Sequence, residues 1–132
     1  MRVLLDTHAL LWWWTASPSL SSTAREVIAA PANEIFVSAA SVWEIRTKQR
    51  LGKLALIPDL SVHFGELLQK SRFTVLDIGW RHALVAGGYP ADHRDPFDRM
   101  LAAQSALEAL PLVTMTSLSA FTAALQLMYA TT

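Results

Sequence analysis

The segment VLLDTHAL, residues 3–10, decides the fold of this chain. Val3, Leu4 and Leu5 form a short apolar run that predicts a buried strand ending at Asp6. Thr7 then opens a helix, so the acid lies between the strand and the helix. A carboxylate at that place is costly to half-bury unless a positive charge faces it. Asp6 is therefore the first candidate functional residue.

The rest of the sequence continues this alternation of strands and helices without an internal repeat or a linker. Such alternation predicts one α/β domain, residues 1–132, with a mainly parallel sheet. The predicted strands are 35–37, 73–78 and 112–115. The predicted helices are 7–14, one capped by Ser19 and Ser21 that runs to about residue 30, 39–51 with a stop at Gly52, 60–72, 80–86 with a stop at Gly87 and Gly88, 95–110, and 118–128.

Composition excludes several classes of protein. The 132 residues carry 11 Lys plus Arg against 11 Asp plus Glu, which excludes a strongly basic nucleic-acid binder. Hydrophobic residues make up 52% and charged residues 17%, which excludes a disordered chain and suggests that a partner covers part of the surface. No cysteine is present, so disulfides, thiolate zinc sites and cysteine nucleophiles are excluded.

Nothing at the amino terminus predicts a membrane protein. The apolar run from Ala9 to Trp14 is far shorter than the roughly 20 residues that a membrane span needs. A secretory signal would need a basic end, a long apolar stretch and a small-residue cleavage site, and only Arg2 fits. We therefore expect a cytoplasmic protein with no membrane partner.

Acidic residues gather where the predicted strands end. In parallel α/β sheets, ligands bind outside the carboxyl ends of the strands. Convergence of Asp6, Glu44 and Asp98 there would cause repulsion that raises their pKa values unless a cation lies among them. Oxygen ligands without cysteine or a histidine pair favour Mg²⁺ or Mn²⁺ over zinc.

Each of the later acids also has a purely structural explanation. Asp95 is a good N-cap for the helix that follows, and Asp98 lies where a carboxylate meets the positive end of the helix dipole. Ser41 and Glu44 match the S-x-x-E capping box. Glu44 also precedes Lys48 by four residues, a spacing that allows an ion pair on a helix.

Four separated motifs, in order, resemble the PIN-domain ribonucleases and specifically the VapC-like toxins of toxin–antitoxin pairs. Together they extend over most of the chain, which makes the resemblance more specific than any one motif would. The motifs are LLDTHALLW at 4–12, VSAASVWEI at 37–45, KxxLGKL at 48–54 and HRDPFDRMLAAQ at 93–104.

The resemblance implies an RNase-H-like three-layer α/β/α sandwich that uses Mg²⁺ to cleave single-stranded or loop RNA, leaving 5′-phosphate and 3′-hydroxyl ends. It implies that Asp6, Glu44 and Asp98 are metal-binding and catalytic residues. Asp95, the extra acid of a D-P-F-D variant, is a further catalytic candidate that ranks below Asp98, because its role as N-cap already accounts for it. A small antitoxin protein is the implied inhibitor.

Thr116 occupies the position at which many members of the family that this chain resembles have a fourth acid. Its hydroxyl can hold a water beside a cation but supplies no charge, so the number of metal ions stays open. This departure leaves a second interpretation, a catalytically degenerate PIN-like module that binds RNA or protein.

A basic segment lies next to the proposed site. The segment 41–56 contains four basic residues and one acid, Glu44. Arg50 and Lys53 are candidates for RNA binding, with a solvated helix face as the equal alternative. Arg99 is a candidate for contact with a carboxylate or a phosphate.

The run Trp12-Trp13-Trp14 poses a geometric problem, because consecutive helical residues point about 100° apart. Three such rings are not expected to face one core. Burial in a homodimer is the favoured explanation, ahead of core packing with one exposed ring and of stacking on an RNA base.

Overall fold

The structure is a computed structural model that describes residues 1–54, 60–90 and 95–114. No helix within these ranges is long and apolar enough to cross a membrane. The elements, in chain order, are β1 (Arg2–Leu5), α1 (Thr7–Trp14), α2 (Ser22–Ala29), β2 (Glu34–Ser38), α3 (Ala39–Arg50), α4 (Leu60–Ser71), β3 (Thr74–Leu76), α5 (Trp80–Gly88), α6 (Pro96–Glu108) and β4 (Leu112–Val113).

The four strands form one parallel sheet in the order β3-β2-β1-β4, which confirms the predicted fold class. From β1 the chain passes to β2 and β3 on one side and returns to β4 on the other. Parallel sheets of this kind leave a crevice where the strand order reverses, at the carboxyl ends of the two strands concerned. Asp6 directly follows β1, so it lies at that crevice.

Side chains of the central strands alternate between two cores, because successive residues of a strand point to opposite faces. Val3 and Leu5 join the larger core, which α1 and α2 help to cover, and Leu4 joins the second core with Leu101 of α6. All four residues are buried. Helices therefore cover both faces of the sheet, as in the predicted three-layer sandwich.

Most predicted elements are confirmed, with two local corrections. Helix α3 begins at Ala39, and the Ser38 hydroxyl accepts from the Ala40 amide at 3.0 Å as its N-cap. Ser41 therefore lies inside the helix, and the predicted capping box with Glu44 is wrong. Helix α5 continues through Gly87 and Gly88 instead of stopping before them. The predicted helix 118–128 lies outside the described residues.

The three tryptophans of α1 are all partly buried and pack against the larger core. Trp14 shows how: its indole N–H donates to Ser71 Oγ at 2.8 Å, and its ring meets Phe64 edge-on at 5.1 Å. Helix α4 thus covers a ring that the helical geometry of α1 turns away from the sheet. The tryptophans no longer argue for a homodimer, which stays a prediction.

Candidate active site

Asp6 is held between the centre of the sheet and the first helix. Its backbone N–H donates to the Val113 carbonyl of β4 at 2.9 Å. Its side-chain Oδ1 accepts from the Ala9 amide at 2.7 Å and caps α1. Because both contacts are backbone-made, the position of this carboxylate is fixed by the fold itself.

Burial raises the pKa of Asp6 to about 6, since the charged form loses hydration there. The hydrogen bond from Ala9 and the nearby His8 oppose this rise in pKa, whereas the charges of Asp98 and Glu44 add to it. The three acids expected to converge are thus close enough to influence one another. They come from three separate segments of the chain.

Glu44 is buried, with 3% of its surface exposed, and both of its carboxylate oxygens accept hydrogen bonds. Thr7 Oγ1 donates to Oε1 at 2.7 Å and the Lys48 ammonium donates to Oε2 at 2.5 Å. The predicted ion pair with Lys48 is confirmed. Since the Thr7 hydroxyl proton goes to Glu44, the Ser41 hydroxyl must donate to Thr7, at 2.9 Å.

Asp95 and Asp98 begin helix α6. Asp95 is its N-cap, accepting from the Phe97 amide at 2.9 Å and the Asp98 amide at 3.4 Å, which confirms the predicted cap. Partial burial, followed by the charges of Asp95 and Glu44, raises the pKa of Asp98. Asp98 is the most exposed of the four acids at this site.

Lys48 supplies positive charge to this group. Its hydrogen bond with Glu44 raises the pKa of the Lys48 ammonium, burial opposes that rise, and the charges of Asp95 and Asp98 add to it. One ammonium therefore serves several carboxylates. A single monovalent charge offsets only part of their repulsion.

The donor set suits a hard cation at two of the acids. Asp6 and Asp98 carry carboxylate oxygens at the crevice, and oxygen is the ligand type that Mg²⁺ and Mn²⁺ prefer. Both oxygens of Glu44 are engaged by Thr7 and Lys48. Across the described ranges, no group of three or more His, Cys, Asp or Glu side chains is arranged to hold a metal ion.

Arg99 points at the neighbouring helix in this structure. Its guanidinium donates to backbone carbonyls at and just beyond the end of α5, from Ala86, Gly87, Tyr89 and Pro90. Contact of Arg99 with a phosphate stays a prediction. Arg50 and Lys53 are exposed at and after the end of α3, and Thr116 lies outside the described residues.

A second buried polar connection was missed by the sequence analysis. The Ser38 hydroxyl donates to Gln104 Oε1 at 2.5 Å, and Gln104 Nε2 donates to the Asp77 carbonyl at 3.3 Å. Gln104 is fully buried. It ties α6 to the carboxyl ends of β2 and β3. The available signal was an amide among small and apolar residues on the inner face of α6.

A parallel α/β sheet with acids from three segments at one edge defines a class of protein that binds charged ligands at that edge. A family model for the PIN domain matches residues 3–115, and the chain belongs to the PIN-domain family. PIN domains are generally metal-dependent nucleases. The comparison with curated proteins gave no match.

Proposed function

We propose that this protein is an endoribonuclease that uses Mg²⁺, with Mn²⁺ as a substitute, to hydrolyse phosphodiesters in single-stranded or loop RNA. The observation that supports the proposal most is that Thr7, next to Asp6, donates to Glu44 at 2.7 Å, while the charge of Asp98 acts on Asp6 and that of Glu44 acts on Asp98. Separate parts of the chain bring these acids to the crevice beside β1. Like charges in a half-buried place are costly unless opposite charge compensates them, and Lys48 supplies only one positive charge.

In this proposal Asp6 and Asp98 hold the cation. A bound divalent cation would shield the charge of the phosphate and polarise it toward attack by water. The Ala9 amide restricts the Asp6 side chain, and the start of α6 presents Asp98. Asp95 serves first as the cap that orders this helix start.

Glu44 orients the attacking water and accepts its proton. The water oxygen bonds to phosphorus while the bond from phosphorus to the 3′ oxygen breaks, and the departing 3′ oxygen takes a proton from solvent, which leaves a 5′-phosphate and a 3′-hydroxyl. The hydrogen bonds from Thr7 and Lys48 hold the Glu44 carboxylate in place. Lys48 thereby acts as a positioning residue.

The first test is cleavage of a single-stranded RNA by the purified protein. We expect cleavage with Mg²⁺ or Mn²⁺, none in EDTA, and a loss of at least about 100-fold in Asp6→Asn. Glu66→Gln is the matched control, since Glu66 is an exposed acid on α4 paired with Lys70. Cleavage that survives both EDTA and Asp6→Asn would contradict the proposal.

The role as a toxin held inactive by a small antitoxin rests on the four motifs alone. We expect a neighbouring reading frame to encode a short DNA-binding protein that inhibits RNA cleavage when added in equimolar amount. A neighbouring gene product that leaves cleavage unchanged, or no such neighbour, would argue against the toxin role and leave the nuclease proposal standing.

The exposed basic residues after the site are proposed to follow the RNA backbone. Charge reversal in Arg50→Glu with Lys53→Glu should flatten the salt dependence of RNA binding, because fewer counterions are released. Lys70→Glu is the control, because Lys70 is an exposed cation on a different helix, α4. An unchanged salt slope would show that α3 merely exposes a solvated face.

The proposed homodimer rests on the low share of charged residues in the chain. Its test is the molar mass in solution, measured by light scattering over a range of protein concentrations. A mass that equals one chain at every concentration would contradict it.

A further inference from the structure

An apolar groove of about 240 Å³ lies beside the acidic site, between α3, α5 and the start of α6. The proposed catalytic roles make no use of it. The side chains that shape it are mainly those of Trp43, Ile78, Ala83, Ala86, Phe97 and Met100.

Two aromatic rings form one corner of this groove. Trp43 and Phe97 meet edge to face, with ring centroids 5.0 Å apart and planes at 77°. Trp43 is 64% exposed, so most of its ring is open to a ligand. Exposed indole surface of this size is unfavourable in water unless something covers it.

The rings are joined through the chain to the acids. Trp43 precedes Glu44 directly, and Phe97 precedes Asp98 directly. Any movement of the helices that displaces the acids therefore displaces the rings as well. A ligand that reacts at the acids and extends beyond its reacting group will also reach the corner formed by Trp43 and Phe97.

Charge on the same helix face indicates what kind of ligand fits. Arg46 and Arg50 follow Trp43 at spacings of three and seven residues, and all three side chains are exposed. Residues at these spacings share one face of a helix. The face thus carries a flat aromatic ring at one end and cations along its length. Single-stranded RNA has the complementary pattern of flat bases on an anionic backbone.

We propose that the Trp43–Phe97 corner is a nucleobase subsite, in which an unpaired base next to the cleaved phosphate stacks on the Trp43 indole. The edge of Phe97 limits how far the base can slide. The statement that the neighbouring phosphate is the one cleaved rests on the proposed nuclease function. Binding of the base at this corner does not depend on that function. Because a paired base cannot leave its stack freely, this subsite selects single-stranded RNA.

The test measures binding of a short fluorescein-labelled single-stranded RNA in Mg²⁺, in an Asp98→Asn background that prevents cleavage. Stacking of one base predicts that Trp43→Ala weakens binding about 5- to 150-fold, while Trp43→Phe retains most of the affinity. Trp80→Ala is the matched control, because Trp80 is 71% exposed and does not line the groove. Thermal melts verify that each variant is folded.

The same oligonucleotide with abasic riboses separates stacking from charge. Because the abasic RNA has no base to stack on the indole, it should bind the Trp43→Ala variant as tightly as it binds the protein that retains Trp43. Equal binding of the normal RNA by both proteins, or no RNA binding at all, would overturn the subsite. A change in molar mass in Trp43→Ala would also overturn it, since the groove would then be an interface between copies of this chain.

Failure of the two proposals can be told apart. Binding that depends on Trp43, in a protein that never cleaves RNA in Mg²⁺, keeps the subsite and rejects the nuclease. Cleavage in Mg²⁺ with a kcat/KM that is indifferent to Trp43→Ala keeps the nuclease and rejects the subsite.

Discussion

Asp6 combines a stabilising and a destabilising role in one side chain. Its Oδ1 caps α1, yet burial raises its pKa to about 6, so the charge that Asp6 carries at neutral pH destabilises the folded protein. Asparagine caps helices about as well as aspartate and carries no charge. Replacement of Asp6 by Asn therefore isolates the cost of the charge.

We predict that Asp6→Asn stabilises the metal-free protein by about 1–3 kcal/mol at pH 8. The folded-state pKa of Asp6 is raised, so the folded protein binds its proton more tightly than the unfolded chain does. Its unfavourable contribution therefore appears as pH rises from about 4 to about 6 and is complete above that range. Urea unfolding in EDTA at several pH values measures it.

Below about pH 4 the advantage of Asp6→Asn should fall toward zero, because both states of the wild-type chain are then protonated at Asp6. An advantage of equal size at pH 4 and pH 8 would show that charge is not its cause.

Glu44 shows the opposite balance, since its charge is buried but paired. Lys48→Met should destabilise the protein by about 1–3 kcal/mol at pH 7, less than a fully buried pair because the lysine side chain is 36% exposed. Arg50→Met, an exposed cation on the same helix, should change stability by less than about 0.5 kcal/mol.

The double variant Glu44→Gln with Lys48→Met should recover part of the loss, because the amide can still accept from Thr7 without carrying a charge. Denaturant unfolding of the four proteins measures this. Equal losses in Lys48→Met and Arg50→Met would contradict the pairing as a source of stability.

At the scale of elements, α5 and α6 are joined by side chains that satisfy helix ends. The last carbonyls of a helix lack partners within it, and Arg99 of α6 supplies donors to those at the end of α5. His82 adds a second tie, accepting from the Gly79 amide at 2.9 Å and lying 2.9 Å from Glu108. The Arg99 contacts fix the start of α6, and with it Asp98, whereas His82 and Glu108 join α5 to the end of α6.

Arg99→Lys should therefore destabilise the protein by about 1–3 kcal/mol, because one ammonium cannot replace a planar fork of donors. Hydrogen exchange at the end of α5 should quicken as well. Arg81→Lys on the exposed side of α5 is the control and should stay within about 0.5 kcal/mol of wild type. Unchanged exchange at residues 86–90 in Arg99→Lys would contradict this role.

Over the whole molecule, local patterns predicted the elements and non-local contacts defined the site. The Asp95 cap is readable because its partners lie two and three residues away. Ser41 fits a local capping pattern, but its partner Thr7 is 34 residues away, so the capping box was wrong. The hydrogen bonds of Gln104 and the packing of α4 on Trp14 also join residues that are distant in the sequence, so local patterns did not predict them.

The balanced charge of the chain also acquires a spatial meaning. Acids gather at the carboxyl edge of the sheet around Lys48, whereas Arg46, Arg50 and Lys53 are exposed at the adjoining helix and its end. Composition excluded a generally basic surface. It could not show that opposite charges are separated over the length of one helix.

The most direct test of the central claim is Mn²⁺ binding measured by calorimetry on wild type, Asp98→Asn and Glu66→Gln. Wild type and Glu66→Gln should bind Mn²⁺ alike, and Asp98→Asn should bind at least about tenfold more weakly. Equal affinity in wild type and Asp98→Asn, or no binding by wild type, would contradict a cation site built from Asp6 and Asp98.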